Sequence, residues 1–322
     1  MNNQPQLNDK RRKYSNKTTN VKAIVITVLC IAIVSVWILT GFAACKLAKK
    51  HSDTDDVSDT AKQSTSAETE SAFPAEQGSF YENSKENETL TIDKSQIYSG
   101  SLIVVTNDED RAYRAVDEEF VNVLNTKTEI NPKPYKVSTD KHRLHKDAFY
   151  AFEEMLGEFY NTNGRNRNFQ LRLALFDEPS ENCSEEHLTG YAVDVNVFDG
   201  KASYTLKKDA PAQYNWIYDH APEYGFVLSY PDTDNDHFRY VGKGHAMYIN
   251  ENAISLEEYI GQLQRHVYGE KHMMFTYGGV EYECFYVYLG GETESVDIEI
   301  PSGVEYTLSG DNVSGVIVTL YR

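Results

Sequence analysis

The sequence predicts an α+β domain that follows one transmembrane helix and ends in a small all-β appendage. Three observations lead to this prediction. An uncharged run fills residues 23–44, apolar residues recur at helical spacing over 145–160, and the last fifty residues alternate with the two-residue period of strands. Helices and strands are mixed within residues 99–252, which we take as one domain. Residues 253–322 are predicted to form a helix followed by the β appendage.

Residues 23–44 are 22 consecutive positions without a charge. As an α-helix the run is about 33 Å long at about 1.5 Å per residue, enough to cross a hydrocarbon core. Six Lys or Arg residues precede it and three follow, which predicts that residues 1–22 are cytoplasmic and the remainder extracytoplasmic. Ala43-Ala44-Cys45 resembles a lipoprotein cleavage site, but its neighbours fit poorly and the run is long for a signal peptide. We expect an uncleaved, single-pass anchor in the cell membrane.

Residues 45–98 are predicted to be a disordered stalk, because polar residues dominate there and no apolar period appears. After residue 50 the chain has 22 basic and 48 acidic residues, a formal net charge of −26. Nucleic acid and anionic lipid surfaces repel a domain of this charge, so we expect no nucleic-acid partner. Cys183 and Cys284 would both be exported, where they could either pair or remain thiols.

Ordered structure should begin with Leu102–Val105, a short apolar run suited to a buried strand. The helix over 145–160 is predicted by apolar residues at three- and four-residue spacing, and Gly164 provides its stop signal. The remaining predicted elements, in chain order, are strands over 169–176 and 191–198, a helix over 211–223, a helix near 255–267, and strands at 280–288, 296–301 and 315–321.

His187 and Asp194 are residue types that bind zinc, and Gly190 lies between them. A turn at Gly190 that leads into a strand would bring both side chains to one point. Taken alone, the pair is weak evidence, and a surface histidine with a strand aspartate is the favoured interpretation. However, Asp194 is flanked by valines in a strand with a buried pattern, and an inward carboxylate needs a cation or strong donors to offset its desolvation.

Two segments together resemble the zinc D-alanyl-D-alanine carboxypeptidases of the vancomycin-resistance (VanY) type. That family carries S-x-H-x-x-G-x-A-x-D and then E-x-W-H-x-R-Y-V-G, where this chain has EEHLTGYAVD at 185–194 and DNDHFRYVG at 234–242. YGFVLSYP at 224–231 is similar to a third family stretch, Y-G-F-x-x-R-Y-P. The resemblance spans about 100–250. It implies the Hedgehog/DD-peptidase α+β fold, with zinc held by His187, Asp194 and His237.

The resemblance also implies a reaction, which is hydrolysis of the D-Ala-D-Ala terminus of peptidoglycan stem peptides. The family's general base is a glutamate three residues before the second zinc histidine, and Asp234 stands at that position here. Asp232 or Asp236 could take the role instead. Arg172 is the nearest candidate for a clamp on the substrate carboxylate, although a surface charge on its strand is the favoured interpretation. Arg239 could contact substrate too, or could orient its strand or a carboxylate.

Departures from the family pattern favour an alternative function. Asp234 replaces the glutamate, Asp236 replaces the usual tryptophan, and the family's S-x-Y-R stretch has no good match before His187. A catalytic group misplaced by about 1 Å can cost roughly a hundredfold in rate. The alternative is therefore a catalytically impaired zinc-binding homologue that binds cell-wall peptides or a protein partner.

Overall fold

The computed structural model describes residues 79–106, 119–175, 184–229 and 236–322. The α-helices are α1 (Lys146–Thr162), α2 (Trp216–His220), α3 (Lys243–Glu251) and α4 (Leu256–Leu263). The strands are β1 (Asn87–Asp93), β2 (Phe120–Asn122), β3 (Lys136–Val137), β4 (Arg143–His145), β5 (Phe169–Leu173), β6 (Ala192–Phe198), β7 (Ser203–Tyr204), β8 (Phe226–Leu228), β9 (His237–Tyr240), β10 (Met273–Tyr277), β11 (Val280–Tyr288), β12 (Ser295–Pro301), β13 (Glu305–Gly310) and β14 (Gly315–Tyr321). Short 3-10 helices cover Phe80–Asn83, Lys94–Tyr98, Glu185–Thr189, Ala212–Asn215 and Ala221–Tyr224.

The central sheet has the strand order β3-β5-β6-β9-β8, and β7 pairs with β6. β3 and β5 are parallel, and the other neighbours are antiparallel. Successive side chains of a strand point to opposite faces. Val193, Val195 and Val197 of β6 lie in the main core, so Asp194 lies on the other face of the sheet.

Helix α1 covers the core face of this sheet, and it confirms the helix predicted over 145–160. The side chain of His145 caps the helix by accepting a hydrogen bond from the backbone N–H of Asp147. Phe149, Phe152 and Phe159 are fully buried against the sheet. Burying a phenylalanine stabilises a fold by roughly 1.5–3 kcal/mol, so this face accounts for much of the packing.

The predicted C-terminal β appendage is present as the sheet β10-β11-β14-β13, and β12 pairs with β1. Its inner face shares one apolar cluster with the preceding part of the chain, because Val227 and Val241 pack together with Cys284 and Ile317. The appendage is therefore packed on the rest of the described domain. Cys284 is a fully buried thiol that donates to Oγ1 of Thr319 at 3.6 Å, whereas Cys183 lies outside the described residues.

The predicted stalk ends earlier than residue 98, which corrects the sequence-based boundary. Residues 79–98 form two 3-10 helices and strand β1, and β1 pairs along its whole length with β12. Phe80, Ile92 and Ile97 are buried beneath this pairing. The polar composition of residues 79–98 gave no sign of strand β1, because its few apolar residues contact partners some two hundred positions away in the sequence.

Two other predicted elements differ from the structure. Residues 102–105 are buried as expected but form no strand, because the carbonyl oxygens of Ser101 and Ile103 accept hydrogen bonds from Arg239 instead of from a neighbouring strand. The helix predicted over 211–223 is divided into a 3-10 helix, α2 and a second 3-10 helix. Pro222 at the start of the last piece lacks the N–H that a continuous helix needs.

Across the four described ranges, no helix combines the length and the apolar composition required to cross a bilayer. The predicted cytoplasmic tail over 1–22, the transmembrane helix over 23–44 and most of the predicted stalk lie outside those ranges.

Candidate functional site

Two of the three predicted metal ligands lie opposite each other on neighbouring strands. Asp194 of β6 and His237 of β9 are register partners in the antiparallel pair. Both side chains leave the sheet on the face away from α1, and both are buried. Nδ1 of His237 lies 2.7 Å from Oδ1 of Asp194.

The third predicted ligand comes from the turn that leads into β6. The 3-10 helix Glu185–Thr189 ends at Gly190, whose left-handed backbone has a φ of 71°. A Cβ atom at Gly190 would lie 2.4 Å from the Phe120 ring, so only glycine fits this turn. The turn points His187 back toward the strand, where its Nε2 lies 3.2 Å from Oδ1 of Asp194. This arrangement agrees with the turn predicted at Gly190.

The three donor atoms fit a single metal ion. One ligand atom from each of His187, Asp194 and His237 lies within 4.8 Å of the others, and all three side chains are buried. Zinc bonds of about 2.0–2.2 Å in tetrahedral geometry place neighbouring ligand atoms about 3.3–3.6 Å apart. The 3.2 Å between His187 and Asp194 is close to this spacing, whereas the 2.7 Å between His237 and Asp194 is a direct hydrogen-bond distance. Two imidazoles and one carboxylate are also the ligand number that leaves a fourth zinc position for substrate or water.

The electrostatics of the site favour an ionised Asp194. Burial alone would raise the pKa of this carboxyl, but hydrogen bonds from the His187 and His237 rings outweigh burial and lower the pKa well below its ordinary value. For His237, burial lowers the pKa, while hydrogen bonds to Asp194 and Glu186 raise it, and the net direction is upward. Negative charge thus concentrates where a cation would be held.

Each candidate ligand has a further hydrogen-bond partner. Nδ1 of His187 lies 3.2 Å from the carbonyl oxygen of Ala192, and Nε2 of His237 lies 2.8 Å from Oε2 of Glu186. The second oxygen of Asp194 accepts a hydrogen bond from the Arg172 guanidinium. Such partners fix the orientation of a ligand and its tautomer.

Glu186 is a site residue that the sequence did not single out. It is 7% exposed, and its pKa is lowered because the hydrogen bond from His237 and the charge of Arg239 outweigh its burial. The only signal in the sequence was its position next to His187. In a chain with 49 acidic residues, that position did not distinguish it.

Arg172, predicted to bind substrate, lies at the edge of the site on β5. Its side chain is 49% exposed, whereas the Asp194 carboxylate beside it is 7% exposed. The guanidinium therefore lies between the buried ligands and solvent. It has N–H groups beyond the one that contacts Asp194, since an arginine side chain carries five.

Arg239, also predicted to bind substrate, lies inside the protein instead. It is fully buried, and its guanidinium donates to Oγ1 of Thr189 and to the carbonyl oxygens of Ser101 and Ile103. The substrate-binding prediction for Arg239 gains no support from this position, because its donors join the turn after His187 to the segment at 101–105. The other role considered for it, orienting its surroundings, agrees with these contacts.

The predicted general base, Asp234, lies outside the described residues, as does Asp232. Asp236 is described and buried, and its two oxygens accept hydrogen bonds from the backbone N–H of Leu206 and from the hydroxyl of Tyr218. Asp236 therefore fastens the segment around Leu206 and Tyr218 to the start of β9. Its candidacy as the base is not supported, because both oxygens are engaged away from the three ligands.

Comparison with known proteins finds similarity to D-alanyl-D-alanine carboxypeptidases. A family model described as VanY, D-alanyl-D-alanine carboxypeptidase, matches residues 157–251. The chain is 28% identical over 259 residues to a D-alanyl-D-alanine carboxypeptidase of Enterococcus faecium, a match covering 74% of this chain and 80% of that protein. The fold is similar to the crystal structure of the vancomycin-resistance D,D-dipeptidase VanXYg in complex with a D-Ala-D-Ala phosphinate analog. That similarity has a TM-score of 0.54 at 21% identity and covers 74% of this chain and 100% of the other.

Proposed function

We propose that this chain, a divergent member of the VanY-type D-alanyl-D-alanine carboxypeptidase family and a carboxypeptidase-like hydrolase, is a zinc enzyme that removes the terminal D-alanine of peptidoglycan stem peptides. One observation carries the proposal, namely the convergence of His187, Asp194 and His237 on one point. The family motif predicted these three residues, and the described structure brings them together from a turn and two strands.

Zinc at this place would act as a Lewis acid, polarising the scissile carbonyl and lowering the pKa of a water molecule toward about 7. The chain's own residues supply the remaining chemistry. Asp234, by its motif position, takes the proton of the attacking water and returns it to the leaving amine of D-alanine. The three ligands are buried, and the low dielectric of buried surroundings strengthens the interactions between these charges.

Arg172 is suited to recognise the free carboxylate that defines the end of the stem peptide. Its guanidinium is half exposed beside the ligands, and a planar fork of N–H groups matches a carboxylate in two parallel hydrogen bonds. The contact with Asp194 keeps the fork in place before substrate binds. Recognition of a chain terminus would restrict cleavage to the last residue.

The proposed location is the outer side of the cell membrane. The uncharged run at 23–44 would anchor the chain, and the excess of Lys and Arg before it would keep the N-terminus in the cytoplasm. The segment between the anchor and Phe80 would then give the domain reach toward the cell wall.

The proposed activity can be tested by incubating the purified full-length chain in detergent with zinc and an acyl-Lys-D-Ala-D-Ala peptide. Release of D-alanine by the wild type, absent in His187→Ala, is expected. A peptide with an amidated terminus should be a poor substrate if Arg172 binds the terminal carboxylate.

The alternative function, a catalytically impaired zinc-binding homologue, has its own outcome in the same experiment. It is favoured by the aspartate at position 234 and by Asp236, which binds Leu206 and Tyr218 in the place of the family's tryptophan. One equivalent of bound zinc with no release of D-alanine would support this alternative and contradict the proposed enzyme.

A further inference from the structure

A buried carboxylate lies directly behind one of the three candidate ligands. Oε2 of Glu186 is 2.8 Å from Nε2 of His237, and the other ring nitrogen of His237, Nδ1, is the one turned toward Asp194. A neutral imidazole carries its hydrogen on only one nitrogen. If Nδ1 offers its lone pair to an ion, Nε2 carries the hydrogen and donates it to Glu186.

The backbone around Glu186 holds this carboxylate in place. The N–H of Glu186 donates to Oγ of Ser184, and the carbonyl oxygen of Glu186 accepts from Oγ1 of Thr189 at 2.6 Å. Glu186 thus sits in a 3-10 helix fixed on both sides. Its side chain connects this helix, which also carries His187, to the first residue of β9.

A fixed positive charge accompanies the carboxylate. Arg239 follows His237 by two positions on β9, so both point to the same face of the sheet. Arg239 is fully buried and donates to Oγ1 of Thr189, the same hydroxyl that binds the backbone of Glu186. A buried carboxylate needs such a partner, because desolvation otherwise disfavours its charge.

The three candidate ligands differ in the kind of partner behind them. His187 has a backbone carbonyl, and Asp194 has the half-exposed Arg172, which is placed to meet substrate. His237 has Glu186, which is buried and separated from solvent. Of these partners, Glu186 is the buried side chain that contacts a metal ligand.

We propose that Glu186 is a positioning residue that raises the affinity of the site for zinc. It holds His237 in the tautomer and ring orientation that present Nδ1, and its negative charge makes that nitrogen a stronger electron-pair donor. Glu186 does not touch the substrate. This inference rests on the proposed function, since it requires zinc at His187, Asp194 and His237.

The experiment measures the zinc dissociation constant of the full-length chain by competition with a chromophoric chelator. Glu186→Gln keeps the size and an acceptor oxygen but loses the charge, and Glu186→Ala loses both. Loss of such an outer partner typically weakens metal binding by about 10–100-fold, so we expect the lower end for Gln and the upper end for Ala. Glu185→Gln, the same change at the preceding residue of the same turn, is the matched control and should bind zinc as the wild type does.

A second readout separates positioning from folding. The visible absorption bands of the cobalt-saturated protein report the ligand field, and they should shift in Glu186→Gln but not in Glu185→Gln. Zinc-saturated Glu186→Gln should keep the KM of the wild type for the peptide. Equal zinc affinity and identical cobalt spectra in the Glu186 variants and the control would overturn the inference. A wild type that binds no zinc would instead defeat the proposed function itself.

Discussion

Nδ1 of His237 lies 2.7 Å from Oδ1 of Asp194, and the two residues face each other across the β6–β9 pair. The backbone hydrogen bonds of the sheet place the two residues opposite each other, and their side-chain conformations bring these two atoms together. Nε2 of His187 approaches the same oxygen at 3.2 Å from the preceding turn. Backbone hydrogen bonds of a turn and of two paired strands hold the three residues, so replacing one ligand should change metal binding more than folding.

Asp194→Asn should abolish tight zinc binding. The amide has the shape of the carboxylate but no charge, and removing one partner of a buried charged pair costs about 3–5 kcal/mol, or roughly 10²–10⁴ in affinity. Competition titration with a chelator measures the change. Asp219→Asn, which removes an exposed carboxylate from α2, is the control and should leave the zinc affinity unchanged.

Arg172→Ala should raise the KM for an acyl-Lys-D-Ala-D-Ala peptide while the zinc content stays at one equivalent. A hydrogen bond to a charged group contributes about 1.5–3 kcal/mol, so the expected increase in KM is roughly 10–150-fold. Steady-state kinetics with Lys141→Ala, an exposed cation, provide the comparison. A normal KM combined with weakened zinc binding would show that Arg172 serves Asp194 and not the substrate.

Gly190→Ala should destabilise the fold and weaken zinc binding together. A left-handed conformation costs an L-residue about 1–2 kcal/mol, and here the new Cβ would also meet the Phe120 ring at 2.4 Å and the backbone nitrogen of His145 at 3.0 Å. Gly164→Ala is a matched control, because its φ of 63° is similar but its surroundings are open. The thermal unfolding temperature should fall further in Gly190→Ala than in Gly164→Ala, and only Gly190→Ala should lose zinc affinity.

Asp234→Asn should remove turnover while zinc remains bound, and Asp234→Glu should keep or raise it. By contrast, Asp236→Ala should lower stability by about 1–3 kcal/mol, because it leaves the Leu206 N–H and the Tyr218 hydroxyl without an acceptor. Measurements of kcat and of chemical unfolding distinguish the two residues. A normal kcat in Asp234→Asn would exclude it as the base, and loss of activity in Asp234→Glu would move the role to another carboxylate.

His245 should make stability depend on pH in a defined window. Burial lowers the pKa of this histidine from 6.5 to about 4, and its ring contacts the hydroxyls of Tyr259 and Thr319. Between these pH values the unfolded chain binds a proton that the folded chain does not, so stability falls as the pH is lowered from 6.5 toward 4, by up to about 3 kcal/mol. His245→Gln should unfold with a pH slope shallower by up to one proton over this window. An unchanged slope would contradict the assignment.

Local patterns in the sequence predicted the elements whose contacts are between residues close in the sequence, or whose apolar pattern extends over many residues. Helix α1 is an example, since its buried phenylalanines recur on one face over about three turns. The His187–Gly190–Asp194 spacing likewise predicted a turn into a strand, because only Gly190 could adopt the required backbone.

Features that depend on distant contacts escaped prediction. Strand β1 exists because β12 pairs with it, and Leu102–Val105 remains irregular because Arg239 binds the neighbouring carbonyls. The sequence made Arg239 a candidate for substrate binding, because its burial results from tertiary packing that no local pattern shows. Glu186 was overlooked for a related reason, because its partner His237 lies 51 positions away.

The zinc content of the purified full-length chain tests the central claim most directly. After dialysis against a slight excess of zinc and removal of the unbound metal, the wild type should retain one zinc per chain. Single alanine variants at His187, Asp194 or His237 should each retain almost none while keeping the far-ultraviolet circular dichroism of the wild type. A wild type without stoichiometric zinc, or a variant of His187 and His237 together that still binds one equivalent, would contradict a metal centre built from these three side chains.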